Sequence, residues 1–191
     1  MFPRVFVPGI ALLMLLDCGG GADSSSFSVQ PEPRTVTVGE QLALSAQANV
    51  DLDGELEWEV EEPYGGGLRN SQGGATVYFA PESAGTYHLT LRAARSDGRR
   101  LKQTLAIRVL PVPGVEPAFT QVGQGGSVTF TATMKGLPRN TVTWQVDETN
   151  GGEIGEDGRY LPPIKAGTYH VTAVSTLDPQ VSARATVVVG D

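Results

Sequence analysis

The sequence predicts an all-β chain, with two tandem antiparallel β-sandwiches behind a short N-terminal leader. Three observations carry this reading. One pattern of residues occurs twice, at Leu56-Glu57-Trp58-Glu59-Val60 and at Val142-Thr143-Trp144-Gln145-Val146. The apolar residues within each copy recur with a period of two. Turn-forming Asp-Gly and Gly-Gly pairs punctuate the runs.

The repeat extends well beyond the tryptophans. Copy one continues through Tyr78-Phe79-Ala80-Pro81 and Ala84-Gly85-Thr86-Tyr87-His88-Leu89-Thr90. Copy two continues through Tyr160-Leu161-Pro162-Pro163 and Ala166-Gly167-Thr168-Tyr169-His170-Val171-Thr172. The tryptophans lie 86 positions apart and Tyr87 and Tyr169 lie 82 apart, so copy one holds four extra residues between its Trp and its Tyr.

Strand periodicity follows in order along each copy. Leu42, Leu44 and Ala46 alternate with polar neighbours, as do Val128, Phe130 and Ala132. Leu56, Trp58 and Val60 alternate with Glu55, Glu57, Glu59 and Glu61. Tyr87, Leu89, Leu91 and Ala93 share one face, with Tyr169, Val171 and Ala173 as counterparts. Leu105, Ile107 and Val109 close copy one, and Ala183, Ala185, Val187 and Val189 close copy two. Such alternation is the mark of antiparallel sheets with one dry and one wet face. Both tryptophans are therefore expected inside, and Tyr87 and Tyr169 are expected to bond nearby backbone as tyrosine corners. Asp53-Gly54, Asp97-Gly98 and Asp157-Gly158 are expected turns. Leu110-Pro111-Val112-Pro113-Gly114-Val115-Glu116-Pro117 reads as a proline-rich spacer between the copies.

The N-terminus reads as an address. Arg4 precedes an apolar run from Val5 to Leu16, interrupted only by Pro8 and Gly9. A bilayer-crossing helix needs about 20 apolar residues, so the run suits a signal peptide rather than a span. Leu15-Leu16-Asp17-Cys18 ends the run, and Gly19-Gly20-Gly21-Ala22-Asp23-Ser24-Ser25-Ser26 follows. This resembles a bacterial lipoprotein signal, in which the chain is cut before a cysteine whose thiol carries diacylglycerol. Asp17 departs from the Gly, Ala or Ser that such signals prefer. The resemblance implies lipidation at Cys18, the only cysteine of the chain. The expected organisation is a signal peptide over 1–17, a tether over 18–26, sandwiches over 27–110 and 118–191, and a linker over 111–117. On a Gly-rich coil estimate the tether reaches ~16 Å.

Trp144 to Val189 resembles a bacterial Ig-like domain of the type found in envelope proteins. The match rests on Trp144, Val146, Gly152, Ile154, Gly158, Tyr160, Pro163, Gly167, Tyr169, Val171, Thr172, Ala173, Ser175, Asp178, Ala183, Ala185 and Val187. Copy one keeps Trp58, Val60, Gly66, Leu68, Tyr78, Pro81, Gly85 and Tyr87. The resemblance implies two immunoglobulin-like sandwiches in an extracytoplasmic adhesive, binding or spacing role, without a shared active site.

Charge and chemistry narrow the function. The net charge is −7, and removal of residues 1–17 takes away one charge of each sign, Arg4 and Asp17. That field disfavours nucleic acid. The expected partners are the membrane, through lipid on Cys18, and an envelope protein or polysaccharide; oligomeric state is left open. No catalytic residue, metal ligand or cofactor is expected. His88 and His170 follow core tyrosines, so they should face outward, one on each domain. A zinc site needs three or four converging ligands. The Glu55, Glu57, Glu59, Glu61, Glu62 stripe could dock a basic partner or gather calcium, or could simply deter sheet-to-sheet association. Asp51-Leu52-Asp53-Gly54 faintly resembles a calcium loop but reads better as a turn. Binding loops are expected at 49–54, 63–74 and 135–140. The alternatives are a carbohydrate-binding sandwich, which would need exposed aromatics, and an enzyme acting through His88 or His170.

Overall fold

The computed structural model describes residues 27–190; the expected signal peptide, Cys18 and the tether lie outside them. No helix occurs among the described residues. The first sandwich is built from β1 (Phe27–Gln30), β2 (Thr35–Thr37), β3 (Gln41–Ala48), β4 (Glu57–Val60), β5 (Gly67–Leu68), β6 (Ala75–Phe79), β7 (Gly85–Ala94) and β8 (Arg100–Leu110). Two sheets result, ordered β1-β3-β6-β5 and β2-β8-β7-β4. Pairing is antiparallel apart from β2, which runs parallel to β8.

The second sandwich repeats the scheme with β9 (Val112–Glu116), β10 (Phe119–Gly123), β11 (Val128–Thr129), β12 (Thr131–Lys135), β13 (Val142–Val146), β14 (Glu153–Ile154), β15 (Arg159–Leu161), β16 (Gly167–Ser175) and β17 (Ser182–Gly190). One sheet has the order β10-β17-β16-β13, with β10 parallel to β17. The opposite face divides into β9-β12 and β11-β15-β14. It divides at Phe130, whose N–H donates to the Gly158 carbonyl at 2.9 Å. The counterpart of the unbroken β3 is thus two strands.

Each sandwich has its own interior, formed mainly by residues whose alternation predicted it and joined by Tyr78 and Tyr160, which the sequence marked only as part of the repeat. Leu44, Trp58, Tyr78, Leu89, Leu91 and Ile107 lie in the first. Phe130, Tyr160, Val171, Ala173, Ala185 and Val187 lie in the second. Burying a Leu, Ile or Val side chain contributes about 1.5–3 kcal/mol, so two such interiors can hold two domains without disulfides. The tyrosine corners form as expected. The Tyr87 hydroxyl donates to the Ser83 carbonyl and that of Tyr169 to the Lys165 carbonyl, both at 2.9 Å.

The expected linker over 111–117 is corrected by the structure. Val112–Glu116 is β9, the first strand of the second sandwich, and it pairs with Lys135–Thr131 of β12. Pro113 is tolerated because β9 is an edge strand, with a free side on which a missing N–H costs nothing. Only Pro111 separates β8 from β9.

The junction is correspondingly tight. The Ala84 N–H donates to the Gly136 carbonyl at 2.8 Å, and Lys135 Nζ lies 3.2 Å from Glu82 Oε2. Gly136 has φ +97°, and a Cβ there would lie 2.8 Å from Val38 Cγ1 and 3.2 Å from Pro111 Cα. A glycine is needed for both conformation and space.

Candidate functional site

The two copies converge on one polar arrangement that neither the histidines nor the acids disclosed separately. The strand that carries each tryptophan is followed at once by two acids, Glu61-Glu62 in copy one and Asp147-Glu148 in copy two. Each pair meets a His-x-Thr on the neighbouring strand, because Glu61 N–H donates to His88 O and Asp147 N–H to His170 O. The Glu62 carboxylate accepts the His88 backbone N–H at 2.8 Å through Oε2 and meets the ring Nδ1 at 2.6 Å through Oε1. Glu148 holds His170 in the same way, at 2.8 and 2.5 Å. One position earlier, Glu61 accepts from the Thr90 hydroxyl and lies 3.7 Å from Lys102 Nζ. Asp147 accepts from Thr172 at 2.8 Å and pairs with Arg184 at 2.8 Å.

These contacts shift the titration of the carboxyls. Burial raises the Glu62 and Glu148 carboxyls, but the bonds from His88 and His170 outweigh it and leave both below the ordinary value of 4.5. The Thr90 hydroxyl, aided by Lys102, lowers Glu61 despite some desolvation. Burial pushes the Tyr78 hydroxyl above the ordinary tyrosine range and that of Tyr160 up to about 12. Both stay protonated donors at neutral pH, each given to a glycine carbonyl, Gly65 and Gly151 respectively, at 2.5 Å.

Among the described residues, each His–Glu pair is a two-membered arrangement. Nucleophilic chemistry needs a hydroxyl or thiol on the free ring nitrogen. Among the described residues no hydrogen bond places a Ser, Thr or Cys there. Nor does any group of three or more His, Cys, Asp or Glu among them come together to hold a metal ion. The surface hollows differ in character. One of about 630 Å³ lies on the outer face of the first sandwich beside Pro31, Ala43, Arg69 and Val77. Another, of about 690 Å³, is lined by Asp53, Glu55, Glu57, Arg92, Arg100 and Lys102. Neither contains a histidine.

The acidic stripe is partly neutralised. Glu59 pairs with Arg92, Glu61 with Thr90 and Lys102, and Glu62 with His88. Asp51 to Gly54 is a turn whose backbone meets the hairpin opposite: Asp53 N–H donates to Ala94 O at 2.9 Å, and Asp51 O accepts from Ser96 N–H at 3.2 Å.

The candidate binding loops have three different fates. Residues 49–54 sit at the pole of the first sandwich where β1 begins, since Phe27 lies opposite Ala48. Residues 71–73 run along the outer edge of β4: Trp58 N–H donates to Ser71 O, Gly73 N–H to Leu56 O, and the Trp58 indole Nε1 to Gly73 O, each at 2.8 Å. Lys135 and Gly136 form the domain junction, while Asn140 braces the same loop by bonding Met134 N–H and Ala132 O.

Trp144 departs from expectation. Trp58 is 2% exposed, whereas Trp144 is only partly buried against Phe130, with ring centroids 6.2 Å apart. The reason is the four-residue difference in spacing. Gly66 to Tyr78 spans 12 positions and Gly152 to Tyr160 spans eight. The longer connection of copy one covers β4 and Trp58. The shorter one turns tightly through Gly155 to Gly158, where Gly158 N–H donates to Gly155 O at 3.0 Å.

No family model matches the chain, and no curated protein matches it. Among solved structures it is similar to the C-terminal 282-residue fragment of intimin, solved in complex with the intimin-binding domain of the translocated intimin receptor. Identity there is 14%, coverage 85% of this chain and 62% of that one, and the TM-score 0.46. It is also similar to the insect immune protein hemolin, at 16% identity, 81% and 44% coverage and a TM-score of 0.47. A third likeness is to the fibronectin(III)-like modules of Clostridium thermocellum CbhA, at 18% identity, 85% and 92% coverage and a TM-score of 0.33. The chain therefore spans less than two thirds of the intimin and hemolin chains. The described residues form immunoglobulin-like β-sandwiches.

Proposed function

We propose that this chain is an exported, lipid-anchored envelope protein that acts as a non-enzymatic adhesive, binding or spacer module. The observation that supports it most is the closed junction between the sandwiches. A single residue, Pro111, joins them, and the Ala84–Gly136 bond and the Glu82–Lys135 pair fasten them end to end. Such a body holds one pole at a set distance from the other.

The direction of that body follows from β1. A tether ending at Phe27 enters at the pole that carries residues 49–54. An anchor at Cys18 then turns those residues toward the membrane. The far pole of the second sandwich, with Asn150 and the 85%-exposed Ile164, faces away from it. That pole, rather than residues 49–54 or 135–140, is the better place to seek an envelope protein or polysaccharide partner. The carbohydrate alternative gains no platform from Trp58, which is buried, or from Trp144, which packs on Phe130.

The test compares wild type with Cys18→Ser in fractionated cells, alongside the intact mass of the membrane-extracted protein. A chain that begins at an acylated Cys18, and moves to the soluble fraction on substitution, is the expected result. An unacylated mature chain, or membrane retention of the serine variant at the wild-type level, overturns the anchor.

A further inference from the structure

The outer edge of β13 is open where its copy-one counterpart is closed. In both domains the ladder to the neighbouring strand fixes which residues point outward. Glu61 N–H donates to His88 O and Asp147 N–H to His170 O, so the residues two and four positions earlier also bond inward. The groups of Leu56 and Trp58 therefore face out, and Ser71 and Gly73 satisfy them. The corresponding groups of Val142, Trp144 and Val146 face out as well. Among the described residues no backbone group meets them. An unpaired edge is a template for another strand. In copy one the equivalent edge of β4 is met by backbone of residues 71–73, with the Trp58 indole N–H as a further donor to Gly73 O. The free edge of β10 is no such sign, because β2 is a sheet edge in the same way.

We propose that β13 pairs antiparallel with β13 of a second copy of this chain, with Trp144 opposite its own equivalent on a two-fold axis. The outer-face side chains admit a second copy here and would oppose one on β4. On the outer face the two-fold sets Thr143 opposite Gln145 of the other copy, and both are exposed and neutral. The same operation on β4 would set Glu57 against Glu59, two like charges directly opposed. The domain that already covers its edge thus carries acids there, and the domain that leaves it open carries none in the middle of the strand. Pairing would also cover more of the partly buried Trp144 ring and satisfy the outward groups of Val142, Trp144 and Val146. This reading goes beyond the membrane anchor and does not depend on it.

Sedimentation of the full chain over a range of concentrations tests the pairing. Wild type should associate reversibly to a dimer. Thr143→Glu with Gln145→Glu creates two opposed acid pairs and should weaken the dissociation constant by about ten-fold or more. Thr143→Glu with Gln145→Lys sets Glu against Lys in each pair and should restore the dimer, which separates lost pairing from lost folding. A wild type that stays monomeric at the highest concentration overturns the proposal and leaves the edge to a partner other than this chain. A dimer unmoved by the double glutamate variant overturns it equally.

Discussion

Replacing Trp58 by alanine should cost about 3–5 kcal/mol, the range for emptying a well-packed aromatic site. Trp144→Ala should cost less, because that ring is only partly buried, and urea unfolding of the two variants compares them directly. Gly66→Ala should cost about 1–3 kcal/mol in the same measurement. Gly66 has φ +98°, and a Cβ there would fall 2.2 Å from Phe79 O. The His–Glu pairs give stability a pH dependence of definite sign. Glu62 and Glu148 titrate lower in the folded chain than in the unfolded one, so their contribution is complete above about 4.5 and is lost as pH falls toward their folded values. The urea midpoint should fall on acidification, and Glu62→Gln with Glu148→Gln should flatten that fall. The outward direction of His88 and His170 was legible from alternation with Tyr87 and Tyr169. Their partners were not, because a carboxylate reaches the ring only after two strands distant in sequence are in register.

Strand identity was largely legible, since a period of two leaves few alternatives over residues such as Leu105, Ile107 and Val109. Pro113 within β9, with Pro111 and Pro117 flanking it, concealed a strand: such prolines suit a spacer equally well until the edge position of β9 is known. The four-residue excess of copy one was visible as a number, but its use as a cover over β4 was not. Shortening the connection between Leu68 and Ala75 by four residues should uncover Trp58. Acrylamide quenching in a Trp144→Phe background should then rise to the level shown by Trp144 in dilute protein lacking Trp58. Unchanged quenching would separate the burial of Trp58 from segment 71–73.

At the scale of the whole chain, the junction decides whether two sandwiches behave as one body. Gly136→Asn, the side chain least averse to positive φ, strains a backbone held at φ +97° and adds bulk against Val38 and Pro111. Small-angle scattering should show a broader distribution of inter-domain distances, with the circular dichroism of the strands unchanged; an unaltered distribution would mean that Pro111 alone sets the angle. The parallel pairing of β2 with β8 has a mechanical corollary. A load applied at Phe27 and drawn off through Leu110 pulls these strands lengthwise past each other, and the bonds of Thr35–Thr37 to Arg108–Leu110 share it side by side. Unzipping would strain such bonds one after another, whereas sliding strains them together, so a tug between the two ends meets the fold along its most resistant direction.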